Sequence, residues 1–160
     1  MAKNTSFVRS IKHALRGFHD ALIRERNLRI HIIIGDLICF FAAHYGLNRS
    51  RWAVLLTIIG VVISSELLNS AIEKAVDTAT REYRADAMHA KDFGAAATLV
   101  SAFFALAAGV ALFGDFEKIK NALKCIFTSP VSASVLILLT AFNIRIILLN
   151  GKNKKLRRKK

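Results

Sequence analysis

The chain has 160 residues, with 24 Lys and Arg against 11 Asp and Glu, for a formal net charge of +13. It is nonetheless 54% hydrophobic, with a mean hydropathy of +0.39. A soluble domain of this size has too little interior to hide that much apolar surface. The cations gather between long apolar blocks and at the two ends, which is the pattern of a basic membrane protein. The single proline leaves long helices uninterrupted. Cys39 and Cys125 have neither metal-ligand nor disulfide-framework spacing, and each reads as a small buried hydrophobe.

Residues 1–30 are polar and basic, with no apolar stretch and no small-residue cleavage site of the signal-peptide kind, so the first long apolar block is expected to stay as an anchor. Within them, Phe7, Ile11, Ala14, Leu15, Phe18, Leu22 and Ile23 recur mostly at three- and four-residue steps. Arg9, Lys12, Arg16, Asp20 and Arg24 take the other faces. This is an amphipathic basic helix suited to an anionic membrane surface.

Four blocks then approach the ~20 residues that a helix needs to cross a hydrocarbon core of ~30 Å. They lie at about 30–47, from Trp52 to Val76, at about 93–114 and at about 131–149. Their length without period-2 alternation argues helix over strand. Residues 115–130 read as a loop of mixed charge, and 151–160 as a polybasic tail. The expected fold is an all-α integral membrane bundle with an N-terminal surface helix, three core spans and a fourth. Its expected parts are residues 1–114, the loop and extra span at 115–150, and the tail at 151–160. Seven cations before the first span and the basic tail after the last place both termini in the cytoplasm under the positive-inside rule. The tail has no interleaved aromatics and flanks a span, so it points to anionic lipid and not to nucleic acid.

The second span carries the chemistry. At 100° per residue, Glu66, Asn69, Glu73 and Asp77 lie at relative angles of about 0°, −60°, −20° and +20°, with Ser70 bordering them at about +40°. A carboxylate near hydrocarbon costs about 3 kcal/mol, and three on one stripe repel each other. The stripe therefore calls for cations, most simply a divalent metal. Glu25, just before the first span, and Lys91 and Asp92, one short turn after the second, can meet Glu73 and Asp77 at the same boundary. Glu66 lies seven residues deeper, or about 10 Å. A wet charged zone above one deep carboxylate suits phosphoryl transfer from a soluble nucleotide to an embedded alcohol. Mg²⁺ would rest on Glu25 and Glu73, Lys91 would stabilise charge, and Glu66 would accept the hydroxyl proton.

Familiar nucleotide motifs are absent. There is no P-loop, and Asp92-Phe93-Gly94 spells D-F-G without the other parts of a protein kinase. The sequons Asn4-Thr5-Ser6 and Asn48-Arg49-Ser50 are chance matches. A cation transporter or channel along the carboxylate stripe is the rival from another class. It lacks inverted repeats and broken helix pairs, and its acids cluster toward one face.

The stretch Glu66-Leu-Leu-Asn69-Ser-Ala-Ile-Glu73-x-x-x-Asp77, followed by Ala90-Lys91-Asp92, closely resembles the signature of the prokaryotic diacylglycerol kinase family, which includes diacylglycerol kinases and undecaprenol kinases. The resemblance covers roughly residues 6–114. It implies a homotrimer of three-span subunits, each with a surface helix, and active sites shared between neighbours. It further implies Mg²⁺-dependent transfer of the γ-phosphate of ATP to a lipid alcohol. By motif position, Glu66 resembles the catalytic base, and Glu25 and Glu73 the metal carboxylates. Glu25, Glu73, Asp77, Glu82, Tyr83, Arg84, Lys91 and Asp92 resemble the ATP-binding set, with Asn69 as polar support. Arg9, Asn27, Arg29, His31 and Ser70 are the candidates for the lipid end, Arg9 standing nearest to the family's N-terminal arginine. Asn27 and His31 are similar to the E-R-N-x-x-x-H form of the undecaprenol kinase branch, which favours undecaprenol over diacylglycerol as acceptor. Residues 115–160 exceed the usual family length.

Overall fold

The structure is a computed structural model that describes residues 2–79 and 84–157, with side chains described for 7–79 and 84–148. It is all-helical, as expected: α1 (Ala2–Arg24), α2 (Arg26–Tyr45), α3 (Arg49–Ala79), α4 (Ala85–Leu112), α5 (Phe116–Thr128) and α6 (Pro130–Arg157). Four of them, α2, α3, α4 and α6, are long and apolar enough to cross a membrane.

Local chemistry sets the breaks. Glu25 adopts an extended backbone between α1 and α2 (φ −95°, ψ 113°). Arg29, only 3% exposed, donates from Nη1 to the carbonyls of Leu22 and Ile23, both at 2.9 Å. Those carbonyls lie in the last turn of α1, where intrahelical donors run out. The buried guanidinium therefore fixes the α1–α2 corner. At its other end α2 stops at Gly46, whose φ of +77° suits a residue without a side chain. Asn48 Oδ1 then accepts the Arg51 N–H at 2.9 Å to start α3.

Residues 116–128 correct the loop expected there. Phe116, Ile119, Ala122, Leu123 and Ile126 make an apolar stripe at helical spacing, which Lys118, Lys120 and Lys124 obscure in the sequence. Asp115 caps this helix by accepting from the Lys118 N–H at 3.1 Å. Ser129 ends it, and Pro130 opens α6 at a first-turn position where a missing N–H costs nothing. α6 continues through Arg157, so helix extends into the segment read as a tail.

α3 and α4 form the most extensive helix pair, α2 packs on α3, and the α5–α6 pair covers another side of α2. α1 touches α2 and α6. Ala42, Tyr45, Leu47, Leu55, Leu112 and Ala122 form the main core at the Gly46 end, walled by Phe41, Trp52 and Phe113. Phe93, Leu99, Phe103, Phe104, Leu106 and Val110 on α4 stay largely exposed, as suits a surface turned to lipid or to another helix. α3 is 31 residues long, roughly 46 Å, so it outruns a ~30 Å core by several turns.

Candidate active site

The stripe on α3 runs from interior to surface. Glu66, Asn69 and Ser70 are buried, at 3%, 8% and 5% exposure, whereas Glu73 and Asp77 are exposed. Asn27, His31, Glu73 and Glu25 lie close enough to the Glu66 carboxylate to act on it electrostatically. The α1–α2 corner thus delivers Glu25, Asn27 and His31 to the stripe. Asn69 donates from Nδ2 to Glu73 Oε1 at 3.5 Å, while its Oδ1 is buried without a hydrogen-bond partner. One turn further out, Lys91 of α4 pairs with Asp77, and Asp92 is exposed beside it.

Arg84 precedes α4 with an extended backbone and lines a small cleft with Val76, Ala79, Asp86 and Ala87. Glu82 and Tyr83 lie outside the described residues. Arg9 is not brought to this cluster within one chain, since the helix from Arg9 to Glu25 is roughly 24 Å long. Arg29 reaches the α1 carbonyls described above, and Ser70 is buried on the same helix as Glu66.

Two residues outside the expected set enter the site. Lys74 Nζ lies 2.6 Å from Glu25 Oε1, joining α3 to the α1–α2 corner. Its position, one residue after Glu73, turns it about 100° off the stripe, where a lysine reads as a solvated charge. Gly94 packs directly against Asn69. Asp36, a half-buried acid in the span of α2, also lies outside the expected set. It shares a face with Phe40 and His44 and lies one residue off Gly35, which packs toward Ile59 of α3.

Among the described residues, no three His, Cys, Asp or Glu side chains gather to hold a metal unaided. Mg²⁺ does not require such a cage, because it commonly takes one or two carboxylates and completes its shell with phosphate oxygens and water. Glu25 and Glu73 offer two hard oxygen donors near Glu66, and an ammonium already lies against Glu25. The donor set fits a Mg²⁺–nucleotide complex.

Beyond Glu66 the surface turns apolar. A groove of about 700 Å³ runs between α2, α3 and α4, from His31 at one end to Phe41 and Phe113 at the other. Gly35, Ile38, Ile59 and Val62 line its middle. His31 belongs both to the groove and to the surroundings of Glu66.

The family profile described as prokaryotic diacylglycerol kinase matches residues 12–113. The chain belongs to that family. It is therefore a lipid kinase with several membrane spans, and the cation-path reading of the stripe finds no support. Among relatives, the undecaprenol kinase of Bacillus subtilis is 36% identical over 109 residues, covering 67% of this chain and 87% of the relative. The diacylglycerol kinase of Synechocystis is 36% identical over 101 residues, covering 62% and 58%. That of Escherichia coli K12 is 33% identical over 110 residues, covering 66% and 90%. No solved structure matches at a significant level. This family member carries α5 and α6 beyond the matched region.

Proposed function

We propose that this chain transfers the γ-phosphate of ATP to the hydroxyl of undecaprenol, giving undecaprenyl phosphate and ADP. The observation that carries the reading is the meeting of an apolar groove with a buried carboxylate at His31. An alcohol whose chain lies in the groove presents its hydroxyl to Glu66. Glu66 takes the proton as the alcohol oxygen bonds to the γ-phosphorus and the bond to the bridging oxygen breaks. Glu25 and Glu73 would hold Mg²⁺, which offsets phosphate charge when bound. Lys91 and Arg84, with Asp77 and Asp92 beside them, form the nucleotide edge. Asn27 beside Glu66, and His31 at the groove mouth, favour the polyprenol, because the residues typical of that branch stand where the hydroxyl would arrive.

The reading includes a homotrimer in the cytoplasmic membrane with both termini inside. Two facts support shared sites. Arg9 is too far from its own Glu25 to serve it, and the apolar face of α4 is left uncovered. The test is a competition assay of purified protein in detergent with ATP, Mg²⁺, undecaprenol and diacylglycerol. Undecaprenyl phosphate as the main product supports the reading. Phosphatidic acid as the main product transfers the assignment to diacylglycerol, and no lipid phosphate at all overturns the site.

A further inference from the structure

We propose that Gly94 is a positioning residue for phosphoryl transfer: its missing Cβ lets Asn69 lie against α4 with its amide turned to Glu73. The inference rests on the placement of Asn69 and Glu73 in the active site.

Glycine is a poor residue inside a helix, so its place in α4 calls for a reason. Gly17, Gly60 and Gly109 also lie inside helices, and a Cβ at any of them meets nothing within 4 Å. At Gly94 a Cβ would stand 2.7 Å from Asn69 Oδ1, closer than real Cβ atoms approach a neighbour. The other neighbours, Ile72 Cδ1 at 3.4 Å and Asn69 Cα at 3.6 Å, are ordinary contacts. The collision is thus with one atom, the amide oxygen.

That oxygen is the far end of a side chain, so it yields to a Cβ by turning the carboxamide. Asn69 is 8% exposed and its Oδ1, which has no hydrogen-bond partner, occupies the space that the missing Cβ leaves. The same carboxamide donates from Nδ2 to Glu73. Turning Asn69 away from a Cβ would pull that donor off Glu73. Moving α4 away instead would carry Lys91, about one turn along, from Asp77. Either relaxation disturbs the carboxylates that face the nucleotide. The glycine of the D-F-G tripeptide therefore serves the site through packing, with none of the protein-kinase meaning of that motif.

The experiment is a double-mutant cycle on the full chain with Gly94→Ala, Asn69→Ala and both, with wild type and Glu66→Gln alongside. Gly94→Ala is expected to lower kcat about ten- to a hundredfold, the scale of a misplaced group near the reacting atoms, with the lipid KM held within about twofold. It should also lower the Tm in the wild-type background and leave it unchanged or raised in the Asn69→Ala background, where the clash is gone. If Gly94→Ala alone does not fold, recovery of folding in the double variant supports the proposal and failure to recover overturns it. Wild-type kcat in Gly94→Ala overturns it, as does an equal Tm loss in both backgrounds. Full turnover in both Glu66→Gln and Asn69→Ala would bring down the site assignment itself, and the proposal with it.

Discussion

The two ends of the helix bundle handle their polar groups in opposite ways. At the Gly46 end they are partnered. The Tyr45 hydroxyl accepts the Asp115 N–H at 3.2 Å, and His44 bridges the Phe40 carbonyl and the Ser132 hydroxyl, each at 2.9 Å. Phe41, Tyr45 and Phe113 pack ring against ring around them. At the Glu25 end, a buried carboxylate sits among other carboxylates, an amide oxygen is orphaned, and lysines stand over Glu25 and Asp77. The first arrangement holds helices together, and α5 and α6 use it to dock on α2. The second gathers charge that lysines of the chain satisfy in part, at a cost in stability that suits a site for a charged ligand. Under the proposed function, fold and chemistry in this kinase are set at opposite ends of the same helices.

That contrast can be broken by substitutions at either end. The largest effect belongs to Glu66→Gln, which should cut turnover by about 10²- to 10⁴-fold, the usual range for a general base, with the Tm little changed. Lys74→Gln has a smaller effect, below that expected of Gly94→Ala. Removing the ammonium from Glu25 should lower the Mg²⁺ concentration for half-maximal activity about threefold to fivefold, as suits a partly exposed ion pair worth up to ~1 kcal/mol. A Mg²⁺ titration of the kinase rate reads this directly, and a raised requirement would make Lys74 a phosphate contact. The smallest effect on chemistry belongs to Tyr45→Phe. It should cost about 1 kcal/mol of stability through the lost acceptor and leave kcat within about twofold. A Tyr45→Phe enzyme with intact stability and poor kcat would erase the division between the two ends.

Much of this was legible in the chain, for identifiable reasons. The spans and the stripe of Glu66, Asn69, Glu73 and Asp77 follow from helical periodicity, which one sequence displays fully. The convergence of Glu25, Asn27 and His31 on Glu66 is a tertiary fact that family resemblance could indicate and periodicity could not. Three features were hidden. Lysines masked the apolar stripe of α5. Lys74 lay off the stripe, and its partner is 49 residues away. Gly94 is explained only by the side chain opposite it on α3, which no property of α4 discloses. Arg29 reads as a substrate or surface cation in sequence, yet its guanidinium closes the end of α1.

In the proposed reaction Glu66 acts on the lipid hydroxyl at the head of the groove, while the exposed carboxylates serve the nucleotide. The most direct measurement pairs Mg²⁺–ATP binding with lipid phosphorylation in Glu66→Gln. Nucleotide affinity like that of wild type is expected, together with loss of lipid phosphate formation. Lipid phosphorylation at the wild-type rate in that variant would contradict it.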